Sequence, residues 1–234
     1  MISLRDLKIG FKDRVQGREL FTVSASIAPG CLSAVLGVNG SGKSTFLRTI
    51  LGFTPQLSGV VEVCGKFPIT YRQEEPMGFL PEVGSLPREL PVRAFLQRVA
   101  LAAGLHESAQ AVAINKAAEL AAIDFPITTI IGELSKGMRQ RVGLAAALCP
   151  LPRVLLLDEP ESGLDPIQRS ALRQTLLRLT SEGMTVLVSS HDFDAVSTYA
   201  AQILLVRGSR CDVIDDAQVY SPQDLVRMIS AGRS

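Results

Sequence analysis

The segment Gly37-Val38-Asn39-Gly40-Ser41-Gly42-Lys43-Ser44-Thr45 follows an apolar, β-prone run at residues 31–36 and precedes a helical run at residues 46–51. This succession of strand, glycine-rich loop and helix matches G-x-x-x-x-G-K-[ST] in the context that the pattern requires. The three glycines allow backbone angles and a close approach that a Cβ atom would block. The N–H groups of the loop can then converge on phosphate oxygens at the start of the helix. The segment therefore predicts a nucleoside triphosphate site in which Lys43 contacts the β- and γ-phosphates and Ser44 offers a hydroxyl to Mg²⁺.

Length and composition set the class of protein. A chain of 234 residues fits one large domain, or one domain with an inserted lobe, and 47% hydrophobic residues are enough for a packed core. The net charge of +1 favours neither a nucleic acid partner nor an acidic one. Its four cysteines are scattered without a C-x-x-C spacing, which is typical of reduced thiols in a cytosolic protein.

The sequence also bears on the membrane. The N-terminus lacks the apolar core of a signal peptide, and the longest apolar region, residues 142–157, is interrupted by two prolines and an arginine. That region is too short and too broken to span a bilayer. If the protein works at a membrane, we expect another chain to supply the spanning part.

The second strong signal is Val154-Leu155-Leu156-Leu157-Asp158-Glu159. Four consecutive large apolar residues predict a strand that is buried on both faces, as in a parallel sheet. Two carboxylates at its end would be costly to desolvate without a cation. We therefore predict that Asp158 is a ligand of phosphate-bound Mg²⁺ and that Glu159 is the general base toward the attacking water. A charged turn at the end of a strand is the simpler alternative, and the phosphate-binding loop argues against it.

Three further side chains are candidates for the same site. Phe11 lies in the first connection of the chain, where it could stack on an adenine ring or fill a local hydrophobic gap. Glu82 follows a short buried strand that ends at Pro81, and His191 follows the apolar run at residues 184–190. Ligands of open α/β sheets gather at the carboxyl ends of strands, although a surface glutamate or a structural histidine would have the same pattern.

The remaining segments predict the surrounding architecture. The predicted strands of a small antiparallel N-terminal layer are residues 2–9, 19–27 and 59–64. Helices are predicted at about residues 91–103, with Pro91 at the first helical position, and at 108–124, where they interrupt the alternation of strands and helices and suggest an inserted lobe.

Good helix starts follow later in the chain. Ser135 is a suitable N-cap for a strong helix, and Asp165 with Pro166 and Gln168 starts another that should end near Gly183. A hairpin at residues 202–214 and a short terminal helix capped by Ser221-Pro222 complete the prediction.

In this order, the motifs resemble those of the nucleotide-binding subunits of ABC transporters, and the resemblance covers essentially the whole chain. The corresponding segments are Gly37–Ser44 (Walker A), Leu134–Gln140 (signature), Val154–Glu159 (Walker B), Ser162–Asp165 (D-loop) and His191 (switch histidine). The resemblance implies an α/β fold with a P-loop NTPase core. It implies a RecA-like, mainly parallel sheet, a small N-terminal antiparallel β layer and an inserted α-helical lobe.

The resemblance also implies domain limits. It implies one ABC ATPase domain over residues 1–234, with the catalytic core at about residues 1–82 and 150–234 and the lobe at about 83–149.

The resemblance further implies roles for single residues. The family's cofactors are ATP and Mg²⁺; the implied metal ligands are Ser44, Asp158 and Glu82, and the implied catalytic residues are Glu159, His191 and Lys43. Phe11 stands where the family stacks adenine on an aromatic ring, and the loop Gly37–Thr45 binds the phosphates. Ser135 and Gly137 would complete the ATP site of a second subunit, so that two ATP molecules lie between two subunits.

Two departures from the family pattern are present. The signature reads Leu-Ser-Lys-Gly-Met instead of Leu-Ser-Gly-Gly-Gln, and Glu82 stands where the family has glutamine. Both are similar to the exporter branch whose ATPase is a separate chain from its permease. We therefore expect an integral membrane permease and a paired ATPase subunit as partners, with a homodimer as the simplest case. We expect no nucleic acid partner, and a cytoplasmic location on the inner face of the membrane.

A soluble ABC-type regulatory or mechanical ATPase that acts on a non-transport complex is the alternative function. The chain has a single Walker A loop and no heptads between Glu82 and Leu134, which disfavours translation and DNA-repair relatives. A signalling or division complex stays open. The transported substrate is not indicated, because the permease selects it in this architecture.

Overall fold

A computed structural model of the chain describes residues 1–12, 17–82 and 86–216, together with residues 223, 224 and 227. The helix cap predicted at Ser221-Pro222 lies outside the described residues.

Within the described residues, all strands belong to one mixed sheet. They are β1 (Ile2–Lys12), β2 (Gly17–Ile27), β3 (Leu32–Leu36), β4 (Ser58–Val63), β5 (Met77–Leu80), β6 (Val154–Asp158), β7 (Thr185–Ser190), β8 (Gln202–Arg207) and β9 (Arg210–Asp215). Their order is β4-β1-β2-β9-β8-β3-β7-β6-β5. The five strands from β8 to β5 run parallel, while β1 pairs antiparallel with β2 and β4, and β8 pairs antiparallel with β9. The predicted α/β class with a mainly parallel core is confirmed.

The parallel strands were recognisable in the sequence because they are covered on both faces. Every residue of β3, β6 and β7 is buried. A strand in this position carries apolar residues in an unbroken run, without the alternation of a half-exposed strand. The carboxyl ends of β3, β7 and β6 are neighbours, so the residues that follow these strands meet at one edge of the sheet.

The N-terminal strands extend this same sheet, since β2 pairs with β9 through Thr22 and Arg210. The first strand also runs three residues beyond the predicted limit, so Phe11 lies in β1, opposite Arg18, and the prediction of a loop position for Phe11 was wrong. The cause is a register shift between Ile9 and Gly10 that breaks the alternation. A Cβ atom on Gly10 would lie 2.2 Å from the Arg18 carbonyl oxygen, so only glycine fits there.

The helices are α1 (Lys43–Ile50), α2 (Pro68–Glu74), α3 (Val92–Ala102), α4 (Glu107–Leu120), α5 (Lys136–Leu148), α6 (Pro166–Ser181) and α7 (Phe193–Val196), with a 3₁₀ turn at Ile131–Glu133. Neither α2 nor α7 was predicted, because each is too short to display a helical period. Pro91 is the N-cap of α3 and does not occupy its first turn, because it is extended and bridges to Ile130. The fourth helix ends before the predicted Asp124, since Ala122 takes a left-handed φ of 53°.

Two apolar clusters pack on the opposite faces of the sheet. Leu155 and Leu157 of β6 belong to the cluster that also contains buried residues of α3, α4, α5 and α6. The alternate residues Val154 and Leu156 belong to the cluster formed with α1 and the N-terminal strands. The helices between β5 and β6 therefore share a continuous core with the sheet that positions the site.

Phe46 of α1 offers a test of this packing. Its ring is fully buried and meets Phe21 edge to face, with centroids 5.8 Å apart. Phe46→Ala should lower the free energy of unfolding by about 3–5 kcal/mol because it leaves a cavity. At roughly 2–4 °C per kcal/mol for a chain of this size, the loss is measurable as a lower melting temperature. Phe67→Ala is the matched control, since Phe67 is 60% exposed. Equal losses in both variants would contradict the assigned packing.

Candidate functional site

The glycine-rich loop connects β3 to α1 and leaves the start of that helix open. Gly42, the N-cap of α1, has φ 102° and makes no side-chain capping bond. A Cβ atom there would lie 2.8 Å from Leu20 Cδ1 of β2, so a larger residue would be strained in both backbone and packing. The uncapped N–H groups and the helix dipole together favour an anion at this point.

Lys43 lies folded over the loop, with only 6% of its side chain exposed. Its ammonium group donates to the carbonyl oxygens of Gly37, at 2.9 Å, and Val38, at 3.3 Å. The same group lies 3.1 Å from Oε1 of Glu159, which is 8% exposed. The cation of the loop and the carboxylate at the end of β6 therefore form a buried ion pair.

Two polar atoms of the site are buried without a hydrogen-bond partner among the described residues: Ser41 Oγ and Glu159 Oε1. Lys43 is near the second atom, but not in hydrogen-bond geometry. Buried polar atoms in folded proteins almost always have partners. The Ser41 hydroxyl is suited to donate a hydrogen bond to a phosphate oxygen. The Glu159 oxygen is suited to accept one from a water molecule.

Asp158 is 1% exposed and accepts two hydroxyl hydrogen bonds at Oδ1, from Ser44 Oγ at 3.0 Å and from Ser189 Oγ at 2.6 Å. No ion pair to Asp158 is formed within residues 1–12, 17–82 and 86–216. Within these ranges, this buried carboxylate has no cationic side chain paired with it and lies next to a serine hydroxyl. Together the two residues offer hard oxygen atoms as ligands for a metal ion. These residues fit Mg²⁺ as the missing counter-charge.

Glu159 adopts a left-handed backbone conformation with φ 48°, which is unusual for a residue with a side chain. Its N–H donates to Ser189 Oγ at 2.9 Å, so the same serine orients both carboxylate residues. Strained backbone of this kind occurs at sites where surrounding contacts hold it. Ser189 was not among the residues predicted from the sequence, although a polar residue inside the apolar run before His191 could have indicated it.

His191 lies beside Glu159, as its predicted position at the end of β7 requires. Its Nδ1 atom is 2.8 Å from Glu159 Oε2, and half of the ring is exposed. The carboxylate of Glu159 is thus held between Lys43 on one oxygen and His191 on the other. The arrangement can orient this carboxylate toward a reactant at the loop.

An open cavity of about 330 Å³ lies over the loop. Its walls are formed by Phe11, Arg18 and Leu20, by residues 39, 40 and 42–45, and by Glu82 and Glu159. The volume is within the range of small-ligand sites. Phe11 and Glu82, which the sequence offered only as candidates, are therefore brought to the phosphate-binding loop. Arg18 was missed, because its pairing with Phe11 depends on strand register.

Ser135 and Gly137 are not part of this cavity. Ser135 caps α5 as predicted, and its Oγ accepts a hydrogen bond from Met138 N at 3.2 Å. Gly137 is buried against the Gln168 side chain, where a Cβ atom would lie 2.5 Å from the amide. Lys136 is exposed, and its ammonium group lies against Gly163. One chain therefore does not bring the start of α5 to its own Lys43.

The chain is similar to known proteins over most of its length. The family model described as ABC transporter matches residues 20–162, which is more than half of the chain. Nod factor export ATP-binding protein I of Burkholderia lata is 30% identical over 241 residues, covering 94% of this chain and 77% of the relative. The manganese transport system ATP-binding protein MntA of Synechocystis is 29% identical over 196 residues, covering 80% of this chain and 74% of the relative.

Among solved structures, the dimeric bacterial ABC transporter cassette MJ0796 superposes with a TM-score of 0.80 at 22% identity. The match covers 92% of this chain and 98% of that one, and it establishes a common fold. In the described part of the chain, none of the helices combines the length and the apolar character needed to cross a membrane.

Ser189 provides a test of the hydrogen bonds in the site. Ser189→Ala should leave the N–H of Glu159 without an acceptor, which costs about 1–3 kcal/mol of stability for a buried group. A thermal melt should show the loss as a lower melting temperature. The matched control is Ser24→Ala, which removes two exposed hydrogen bonds with Asp6 and should change little, because water can replace both of them. A melting temperature for Ser189→Ala equal to that of the control would show that the serine does not hold the two carboxylate residues.

Proposed function

This chain belongs to the ABC transporter family of ATP-binding cassettes, and from that premise we propose that it powers a separate membrane permease. The family's ATP-binding cassettes are ATPases and work with membrane permease components. In our proposal two copies of the chain enclose two MgATP molecules, and hydrolysis drives export. The observation that carries the proposal is the buried group of Lys43, Glu159, Asp158 and Ser44 at the glycine-rich loop.

The proposed ATP site assigns one task to each side chain. Lys43 and the loop N–H groups bind the phosphates, and Phe11 stacks on the adenine ring. Ser44 and Asp158 would hold Mg²⁺, with Glu82, which also lines the cavity, as a further ligand. When bound, this ion would neutralise charge that develops on the transferred phosphoryl group.

Glu159 is the proposed general base. Its carboxylate lies at the rim of the phosphate-binding loop, 3.1 Å from the Lys43 ammonium and 2.8 Å from His191 Nδ1. A base must be within hydrogen-bond reach of the proton it removes, and this position suits a water molecule beside the terminal phosphate. His191 orients the carboxylate and contacts the phosphate.

The proposed dimer rests on the start of α5, which does not belong to the ATP site of its own chain. Ser135 and the first N–H groups of α5 form the start of a 13-residue helix, and Ser135 does not line the chain's own cavity. We take residues 83–149 as the lobe that carries this helix to the ATP of a second copy. Exposed apolar residues in the relevant segments, Val38 at 46% and Ile167 at 82%, suit a protein interface.

The permease is proposed to dock on an exposed apolar patch, the Phe53 patch, which consists of Phe53, Ile69, Arg72 and Phe79. Phe53 is 55% exposed, its ring meets Phe79 of β5 at 6.4 Å, and the Arg72 guanidinium lies 4.4 Å from its centroid. Ile69 is 62% exposed and lies against Gly52. Because β5 leads directly to Glu82 at the cavity, a permease segment held here could sense the nucleotide.

An apolar cytoplasmic segment of the permease is the occupant that suits this patch. Binding there would keep the chain on the cytoplasmic face of the membrane. Export is supported by the name of the Burkholderia relative, by Glu82 and by the signature that contains Lys136.

The dimer can be tested with Glu159→Gln, which keeps the shape of the side chain but removes its basicity. We expect ATP binding to persist while hydrolysis falls at least about 100-fold, as for loss of a general base. The uncleaved γ-phosphate should hold two chains together, so the variant should elute as a dimer with MgATP on a sizing column.

Lys43→Ala is the matched variant, since it should lose most of its nucleotide affinity and stay monomeric. A Glu159→Gln protein that binds MgATP and still elutes as a monomer would contradict the proposed dimer. Tight ATP binding by Lys43→Ala would contradict the role of the loop.

The docking patch can be tested separately from the ATP site. Phe53→Asp should weaken co-purification with the permease at least about 10-fold, the effect of losing a central interface residue. The ATPase activity of the isolated chain should stay the same, because Phe53 lies outside the cavity. Leu177→Asp, on the exposed face of α6, is the control and should co-purify normally. Equal recovery of permease with both variants would exclude this patch, and recovery of no membrane protein by the native chain would favour a soluble complex.

A further inference from the structure

The turn that follows Glu159 is attached to α6 by an ion pair that has no role in the site described so far. Both carboxylate oxygens of Glu161 accept from Arg173, with Nε to Oε1 at 2.8 Å and the second bond to Oε2 at 2.8 Å. The Glu161 side chain is 9% exposed. Bidentate arginine–carboxylate pairs are among the strongest and most directional polar contacts in proteins. This pair therefore restricts where the turn can lie.

Arg173 is itself held from a second side. Its guanidinium carbon lies 5.4 Å from the ring centroid of Tyr199, which is buried. The hydrogen bond to Glu161 raises the pKa of the guanidinium, and burial raises the pKa of the Tyr199 hydroxyl. A planar cation between a carboxylate and an aromatic face has one well-defined orientation.

A second arginine on the same helix connects to the other side of the site. Arg169 lies one helical turn before Arg173, so the two point from the same face of α6. Its Nε donates to the Leu164 carbonyl at 3.0 Å, and it pairs with Asp192 at 3.1 Å. Asp192 directly follows His191. The helix α6 thus contacts both the turn after Glu159 and the residue after His191.

The turn is short enough to transmit a displacement of Glu161 to Glu159. Within it, Ser162 N donates to the Glu159 carbonyl at 3.1 Å, and Leu164 N donates to the Glu161 carbonyl at 3.2 Å. Glu159 already has a left-handed φ of 48°, which the surrounding contacts must maintain. Removing the Arg173 contact would leave a buried carboxylate without its cation, and the turn would have to move to hydrate it.

We propose that Arg173 is a positioning residue for ATP hydrolysis, which acts through Glu161 on the turn that carries Glu159. Arg169 completes the arrangement by holding Asp192 beside His191. The inference rests on the proposed role of Glu159 as the general base. Because Arg173 is not part of the cavity wall, its loss affects the placement of the carboxylate and not the binding of ATP.

The test is steady-state hydrolysis by Arg173→Met, with ATP binding measured separately. We expect kcat to fall about 10-fold or more, since a displacement of about an ångström at a reacting group can cost up to 100-fold. The KM and the affinity for a non-hydrolysable ATP analogue should stay within about 2-fold, the scatter of unrelated surface variants. Arg173→Lys keeps the charge without the bidentate contact and should be intermediate. Arg5→Met is the matched control, because it breaks only the exposed ion pair to Glu62.

A double-mutant cycle separates positioning from a general loss of stability. Glu161→Gln and Arg173→Met should not add, and the double variant should be no slower than Arg173→Met, since both remove one contact. Multiplicative losses would overturn the inference, as would an unchanged kcat for folded Arg173→Met. If Arg173→Met does not fold, an unchanged kcat for Arg173→Lys has the same meaning.

The two proposals also fail differently. Persistent ATP hydrolysis by Glu159→Gln would overturn the assignment of Glu159 as the general base. An inactive Glu159→Gln together with a fully active Arg173→Met would overturn only the positioning role.

Discussion

Asp158 and Glu159 are adjacent carboxylates buried at the end of β6, and compensation of their charge organises the rest of the site. An unpaired ion in a protein interior costs several kcal/mol, so each carboxylate needs partners from other elements. Lys43 and His191 flank Glu159, while Ser44 and Ser189 bind Asp158. These partners follow β3 or lie at the end of β7, which are neighbours of β6. The order of the parallel strands therefore brings these partners to the two carboxylates.

The need to compensate a buried carboxylate also applies to Glu161, in the turn that follows the site. Glu161 is buried two residues after Glu159, and it is compensated by Arg173 of α6. Gln140 of α5 donates to the carbonyl of Pro160 at 2.9 Å, so the helix capped by Ser135 also touches this turn. The segment after β6 is thus surrounded by contacts from α5 and α6, and a left-handed Glu159 can be maintained there. A short turn with several partners is well suited to hold the Glu159 carboxylate in place.

Features with a local cause were predictable. The loop Gly37–Thr45 is defined by its own spacing, and the caps at Ser135 and Asp165 bond to N–H groups three residues away. The buried strand β6 follows from consecutive apolar residues. By contrast, the position of Phe11 in β1 depends on a register shift opposite another strand. The helix α2 was missed because seven residues do not display a period.

The sequence alone was sufficient for the family, the order of strands and helices around the loop, and the chemical type of each group at a strand end. Only the tertiary structure decided which groups touch. It paired Lys43 with Glu159, brought Ser189 to both carboxylate residues, joined Glu161 to Arg173, and kept Ser135 away from the cavity of its own chain. Local periodicity reaches only a few residues along the chain. Contacts such as Ser44 with Asp158 span 114 residues and are set by the order in which strands are placed side by side.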